Sequence, residues 1–382
     1  MLLRKTILNP IQELARDGRL TGILLLLMTA LSLALSNSPL GHQYLEFWHI
    51  EFGPHFFHES IVHWINDGLM AIFFFLVGME IKRELLIGQL SDRKKALLPA
   101  LAAAGGMLMP ALIYVMFNIN SSYLEGWAIP TATDIAFSLG VLSLVGKKVP
   151  MPLKVFLTAL AIIDDLGAVL IIAIFYTSEL HFTYLFLAAL CFGILLLMNR
   201  MKVNHFIFYL PLGLLLWFFV FESGVHATVA GVLFAMSMPI TLIEKLEHAL
   251  HRPVNFGIMP VFALANTAIM LPTENLAALI SPLSGGILFG LLFGKPIGIF
   301  IASFLAVKYN LAKRPSMVSW TQVFGVACTA GIGFTMSIFI AGLSFNDVFL
   351  LDEAKLSVLS GSILAALAGL LILTLYSQQH KK

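Results

Sequence analysis

Apolar residues in this chain do not alternate with polar ones; they come in long blocks separated by short polar stretches. Blocks at about 20–35, 61–81, 96–117, 126–145, 153–176, 184–199, 205–221, 224–240, 255–271, 283–307, 320–345 and 356–376 make twelve. A helix of about 20 apolar residues crosses the hydrocarbon of a bilayer, so each block predicts a membrane-spanning helix. The first is short enough to pass for a signal-peptide core, but with eleven blocks behind it, it reads as the first span. Ahead of it, residues 1–19 carry Arg4, Lys5, Arg16 and Arg19, with Leu8, Ile11, Leu14 and Ala15 at helical spacing. That is the pattern of an amphipathic helix lying in the membrane interface. The connection at 37–59 is the longest on its side, and its aromatics alternate in places with polar residues. A short hairpin and an interfacial aromatic belt both fit it.

Composition sharpens this picture. The 382 residues are 59% hydrophobic and 12% charged, with a mean hydropathy of +0.92, too few charges to solvate a globular surface. A soluble protein is excluded. The net charge of +2 says little, but its distribution says more. Of the 23 Lys and Arg, twenty-one fall in the N-terminal stretch and in every second connection, Lys355 alone falls in the other set, and Lys295 lies inside a span. Positive charge marks the cytoplasmic side, so both termini are expected there, and an even number of spans agrees. The whole of 1–382 then reads as one transmembrane domain. Cys191 and Cys328 lie far apart in apolar runs, which supports neither a disulfide nor a zinc site.

The informative residues are the charges inside the spans. Asp164 and Asp165 sit at the centre of 153–176, in LAIIDDLGA, and Asp67, Asp134 and Lys295 lie in other spans. Each charge at mid-bilayer costs about 3 kcal/mol, so they must meet water, one another or an ion. Adjacent helical residues point about 100° apart, so Asp164 and Asp165 are expected in different environments. Two spans are also interrupted, one by Pro130, Thr131, Thr133 and Asp134 and the other by Gly331 and Gly333 ahead of Thr335 and Ser337. Such breaks at corresponding places predict inverted-topology repeats, spans 3–5 against 10–12, with the site at the breaks. There Asp134 would neutralise the positive ends of half-helices, and Lys295 would balance negative ends or pair with an aspartate. Aspartates, the Thr133 hydroxyl and freed carbonyls suit a hard cation. Asp67 fits either a narrow part of an ion funnel or a polar packing contact.

Near the cytoplasmic side, Glu80, Arg83 and Glu84 follow the second span, and Glu247, His248 and His251 precede the ninth. They read as a solvated charge cluster or as a pH-responsive one. His226, in ESGVHATVAG, is open in the same way.

The motifs AIPTATDIAFSLG, LTALAIIDDLGAVL, SGVHATVAGV, FGKPIGI and GIGFTMSIFIAGL, with WINDGLMAIFFFLVGMEIKREL, resemble the bacterial sodium/proton antiporter NhaA family. The resemblance runs in order over essentially the whole chain. It implies an all-α polytopic inner-membrane protein of twelve transmembrane helices, with two broken helices crossing at mid-membrane. Asp164 and Asp165 would hold Na⁺, Li⁺ or protons, Thr133 and Asp134 would line the site, and Asp134 and Lys295 would balance the helix dipoles. It further implies electrogenic exchange activated at alkaline pH for sodium and pH homeostasis. Glu80, Arg83, Glu84, Glu247, His248 and His251 would respond to pH, with His226 a further pH-linked position. No cofactor is implied, and the expected partners are the lipid bilayer, the ions and a second copy in a homodimer, with no nucleic acid. The 37–59 connection is shorter than the hairpin through which the family pairs, and 241–255 has fewer basic residues than expected.

Rival functions fit less well. Intramembrane aspartyl proteases resemble YD and GxGD, whereas the contexts here are TATD and IIDDLG; polyprenyl transferases carry DDxxD, whereas 164–168 read DDLGA. A sodium-coupled symporter would need polar residues for an organic substrate, and an adjacent carboxylate pair favours binding over the rapid passage of a channel.

Overall fold

The computed structural model describes residues 9–53, 58–146, 149–177, 179–271 and 281–379, the side chains of 9–17 and 377–379 excepted. Among them eight helices are long and apolar enough to cross a membrane. A ninth span is added when Trp320–Ala330 and Phe334–Ser344, bent by 46°, are taken as one. Their outer faces are apolar: Leu108, Met116 and Phe182 are 64%, 76% and 75% exposed. Surfaces of that kind match lipid rather than water, as in a helical multi-pass membrane protein.

Three predicted blocks fall on other helices. Phe206–Glu222 and Thr228–Ser237 are shorter apolar helices. Residues 240–266 form one helical run through Ile240–Pro253, the π-turn Val254–Ile258 and Met259–Asn266. Its first half is charged, which is why the apolar block begins only at 255. The surface helix expected at 1–19 is described from Asn9, where it is continuous with the first span in a single helix, Asn9–Ser36; residues 1–8 lie outside the described residues. The described residues of the 37–59 connection form a helix, Gly41–Trp48, and two short strands that pair Glu51 with Ser60 and Phe52 with Glu59.

The chain divides into two compact units. One holds Met1–Leu26, Gly88–Ala168 and Leu271–Lys382; the other holds Leu27–Ile87 and Val169–Met270.

In the first unit, the helices Arg93–Asn118 and Pro282–Lys308 touch backbone to backbone. A Cβ added at Gly105 would lie 2.4 Å from the Gly298 carbonyl oxygen, so no side chain fits there. Small residues let membrane helices approach in this way. Leu139, Leu142, Leu157, Leu160 and Val326 join the buried core beside them. Two helices of this unit are broken. Leu124–Thr131 winds tightly as a 3₁₀ helix containing Pro130, residues 132–134 leave the helix with Ala132 and Asp134 extended, and Ile135–Val145 resumes as α-helix. Proline lacks the N–H that an uninterrupted helix needs. In the other, Trp320–Ala330 stops at Gly331 and Phe334–Ser344 begins beyond Gly333.

In the second unit, the span Ile61–Leu86 contains a π-turn, Trp64–Leu69, and packs closely on Thr228–Ser237. A Cβ at Gly231 would lie 2.2 Å from the Ala71 carbonyl oxygen. Lys82 Nζ donates to the carbonyls of Met236 (2.6 Å) and Met238 (2.5 Å), capping the C-terminal end of that partner helix.

Candidate functional site

Each break frees backbone groups that a continuous helix would have paired, and the two breaks satisfy one another. The Asp134 N–H donates to the Ile332 carbonyl at 2.7 Å. Ser138 Oγ donates to Thr329 O at 2.8 Å, and Ser337 Oγ donates to Ile129 O at 2.6 Å. The unwound segments of the two helices therefore meet at the level of residues 129–138 and 329–337.

Asp134 caps two half-helix N-termini at once. Its Oδ1 accepts from the Phe137 N–H at 2.9 Å, and its Oδ2 accepts from the Thr335 hydroxyl at 2.5 Å, with the Thr335 N–H at 3.3 Å. A carboxylate there offsets the partial positive charge of both helix ends. Ser362 helps at the second of these ends, where its Oγ accepts from the Phe334 N–H at 3.1 Å.

Lys295 follows directly on the π-turn Gly290–Gly294 and is fully buried. Its ammonium donates to the Thr131 carbonyl, the C-terminal end of the Leu124–Thr131 half-helix, and to Asp164 Oδ2 at 2.5 Å. Both roles open to a buried lysine, balancing a negative helix end and pairing with an aspartate, fall to one ammonium.

Asp164 and Asp165 lie in the unbroken helix Met151–Phe175, 2% and 4% exposed. Asp164 Oδ2 takes the ammonium and also lies 2.6 Å from the Thr133 hydroxyl, which is 2.9 Å from Ala330 O. One hydroxyl proton serves one acceptor at a time, so Thr133 can turn between the carboxylate and the half-helix end. Among the described residues, Asp164 Oδ1 is buried without a hydrogen-bond partner. A buried carboxylate oxygen left in this state is costly, or it is a ligand position for a cation or a proton. Asp165 acts on the same ammonium through space. Asp134, Thr133, Asp164, Asp165 and Lys295 thus gather where the broken helices meet, all within one unit.

Of the residues expected to respond to pH, Glu80, Arg83, Glu84 and Glu247 come together, and His226 stands apart from them. Arg83 Nε lies 3.1 Å from Glu247 and its Nη2 lies 3.4 Å from Glu84, with Glu80 facing the same charges. Burial pushes the Glu247 carboxyl above the ordinary carboxylate range, opposed by Arg83 and reinforced by Glu84 and Glu244. His251 lies against Asn255, whose Nδ2 is 3.2 Å from its Nε2, and His248 is exposed. His226 belongs elsewhere: its Nε2 is 3.1 Å from Asp67 Oδ1, while His63 Nε2 is 2.7 Å from Asp67 Oδ2. Asp67 is therefore bracketed by two imidazoles, and Trp217 donates to its backbone carbonyl at 3.2 Å. His63 escapes the sequence reading, although its i,i+4 spacing to Asp67 carries the signal. Ser138 and Ser362 carry none, because a hydroxyl inside an apolar helix looks the same whether it caps a neighbour or bonds its own backbone.

Residues 12–373 match the family described as Na⁺/H⁺ antiporter 1. Three curated relatives span nearly the same length. The Na⁺/H⁺ antiporter NhaA 2 of Flavobacterium johnsoniae is 50% identical over 378 residues, 96% of this chain and 93% of that protein. The NhaA of Mesorhizobium japonicum is 50% identical over 92% of this chain and 91% of its own, and that of Pelagibacter ubique is 48% identical over 94% and 95%.

Proposed function

The chain belongs to the Na⁺/H⁺ antiporter 1 family, and on that premise we propose that it exchanges Na⁺ for protons at Asp164 and Asp165. It is a secondary transporter, not an enzyme. The single observation that carries the site assignment is Asp164. This buried carboxylate shares one oxygen between Lys295 and Thr133 and, among the described residues, keeps the other without a hydrogen-bond partner.

The chemistry follows from charge. A cation at Asp164 replaces the counter-ion that Lys295 otherwise supplies, and a proton on the same carboxylate removes the charge that holds either. Na⁺, Li⁺ and H⁺ therefore compete for one place, and cation occupancy rises with pH. Thr133 and a carbonyl freed at the breaks complete a set of hard oxygen donors. Two carboxylates and an ammonium can together exchange more than one proton per cation, which makes the cycle electrogenic.

The broken helices supply the movement. Asp134, Lys295 and the hydroxyls hold the half-helix ends by side chains rather than by continuous backbone, so small shifts turn the site between membrane faces. The full architecture belongs to the same proposal: twelve spans, inverted repeats at spans 3–5 and 10–12, both termini cytoplasmic, and a bacterial inner membrane. Twelve apolar blocks that all fall on helices support it, as does the shared order of long helix, broken helix, long helix in the two stretches. Activation at alkaline pH is assigned to Glu80, Arg83, Glu84, Glu247, His248 and His251, with His226 acting from its separate place beside Asp67. A homodimer remains part of the proposal.

Everted membrane vesicles with an acid interior test the function. Added Na⁺ or Li⁺ should draw protons out and restore the fluorescence of a quenched pH probe. No Na⁺-dependent recovery at alkaline pH, with the protein present in the membrane, refutes the exchange.

A further inference from the structure

The half-helix ends at the crossing find partners inside the site. The outer end of Ile135–Val145 does not. Its C-terminal carbonyls carry partial negative charge; the Ser143 carbonyl accepts from the Gly146 N–H of its own cap, and a residue from a different helix donates to the same oxygen. Arg19 Nη2 donates to the Ser143 carbonyl at 2.7 Å, and its Nε donates to Ser143 Oγ at 3.2 Å. That hydroxyl in turn donates to Gly140 O at 2.6 Å, so the guanidinium closes the last turn.

The approach is fixed by glycines. A Cβ added at Gly140 would lie 2.6 Å from the Gly18 carbonyl oxygen, and one at Gly18 would lie 3.3 Å from Ala136 O. The two backbones are in contact directly beside Arg19, so its side chain starts from a set point. Eleven residues of helix form a rod about 16 Å long, with Arg19 at one end and Asp134 at the other. A rod held at Ser143 sets where Asp134 and Thr133 stand against Thr335 and Asp164.

We propose that Arg19 is a positioning residue for cation exchange, clasping the far end of the half-helix that Asp134 begins. The proposal rests on the exchange function above. It makes the start of the first span part of the transport machinery, although Arg19 reads in sequence as one more interfacial charge.

Position and charge act in opposite directions, which makes the test sharp. Removing a distant positive charge by itself draws Na⁺ in more tightly and lowers the apparent KM. Loosening the half-helix raises it. Arg19→Gln, Arg19→Lys and Gly140→Ala are compared with wild type for Na⁺-driven proton movement in proteoliposomes, at equal amounts of folded protein. Arg19→Gln should raise the apparent KM for Na⁺ about two- to fivefold, the range of one helix-end interaction, with the maximal rate nearly kept. Arg19→Lys should recover part of the shift, and Gly140→Ala should reproduce it by forcing the backbones apart. An unchanged or lowered KM in Arg19→Gln overturns the proposal. So does a fall in rate that simply follows loss of folded protein. If wild type itself moves no protons with Na⁺, the exchange function fails and this inference with it; if only the variants match wild type, this inference alone fails.

Discussion

Lys295→Ala isolates the pair at the centre of the site. In the wild type the ammonium and the Asp164 carboxylate are 2.5 Å apart with side chains 0% and 1% exposed, and the same ammonium caps the Thr131 carbonyl. The substitution leaves Asp164, 2% exposed, with the Thr133 hydroxyl and a buried, bare Oδ1. Breaking a buried pair from one side costs about 3–5 kcal/mol. At about 2–4 °C per kcal/mol for a folding unit of 150–250 residues, the unfolding midpoint in detergent should fall by roughly 10 °C. Lys295→Arg keeps the charge and should fall far less while retaining exchange. Replacing both partners by neutral groups is near neutral where breaking one is not. The double variant Asp164→Asn with Lys295→Met should therefore regain most of the lost midpoint and remain inactive. Tryptophan fluorescence followed against temperature reads all four proteins. A Lys295→Ala midpoint equal to wild type, or a double variant less stable than Lys295→Ala, refutes the reasoning.

Asp134→Asn keeps an oxygen for one half-helix N-terminus but loses the charge facing two, so exchange should persist with an apparent Na⁺ affinity changed by about two- to fivefold; a Na⁺ titration identical to wild type, or no exchange at all, contradicts this. Glu247 holds its proton more tightly when folded than when unfolded, so its contribution to stability should fall as pH rises above about 4–5. Glu247→Gln should flatten that fall in midpoint-against-pH curves and move the activation profile along the pH axis, whereas superimposable curves would return the cluster to ordinary solvated charge.

Much of this site was legible because charge inside an apolar block is expensive. Asp134, Asp164, Asp165 and Lys295 stand out on that ground alone, and Pro130, Gly331 and Gly333 mark where helix must stop. What pattern could not say is which carboxylate takes the lysine. A rotation of 100° separates Asp164 from Asp165, and only the packing of Pro282–Lys308 on its neighbours turns Lys295 toward the first. The charged half of 240–266 hid a helix from hydropathy, since Glu247 and Arg83 are paired across helices far apart in sequence. Arg19 was hidden for a different reason. A basic residue at the start of a span belongs to the interface by default, and its use depends on Gly18 meeting Gly140, more than a hundred residues on.

The central claim is that exchange runs through the adjacent carboxylates. Purified wild type, Asp164→Asn and Asp165→Asn in sealed proteoliposomes, given an outward proton gradient and then Na⁺, measure it directly. Each variant should insert and elute as folded protein yet move no protons in response to Na⁺, while wild type does. Na⁺/H⁺ exchange at the wild-type rate in either variant would contradict it.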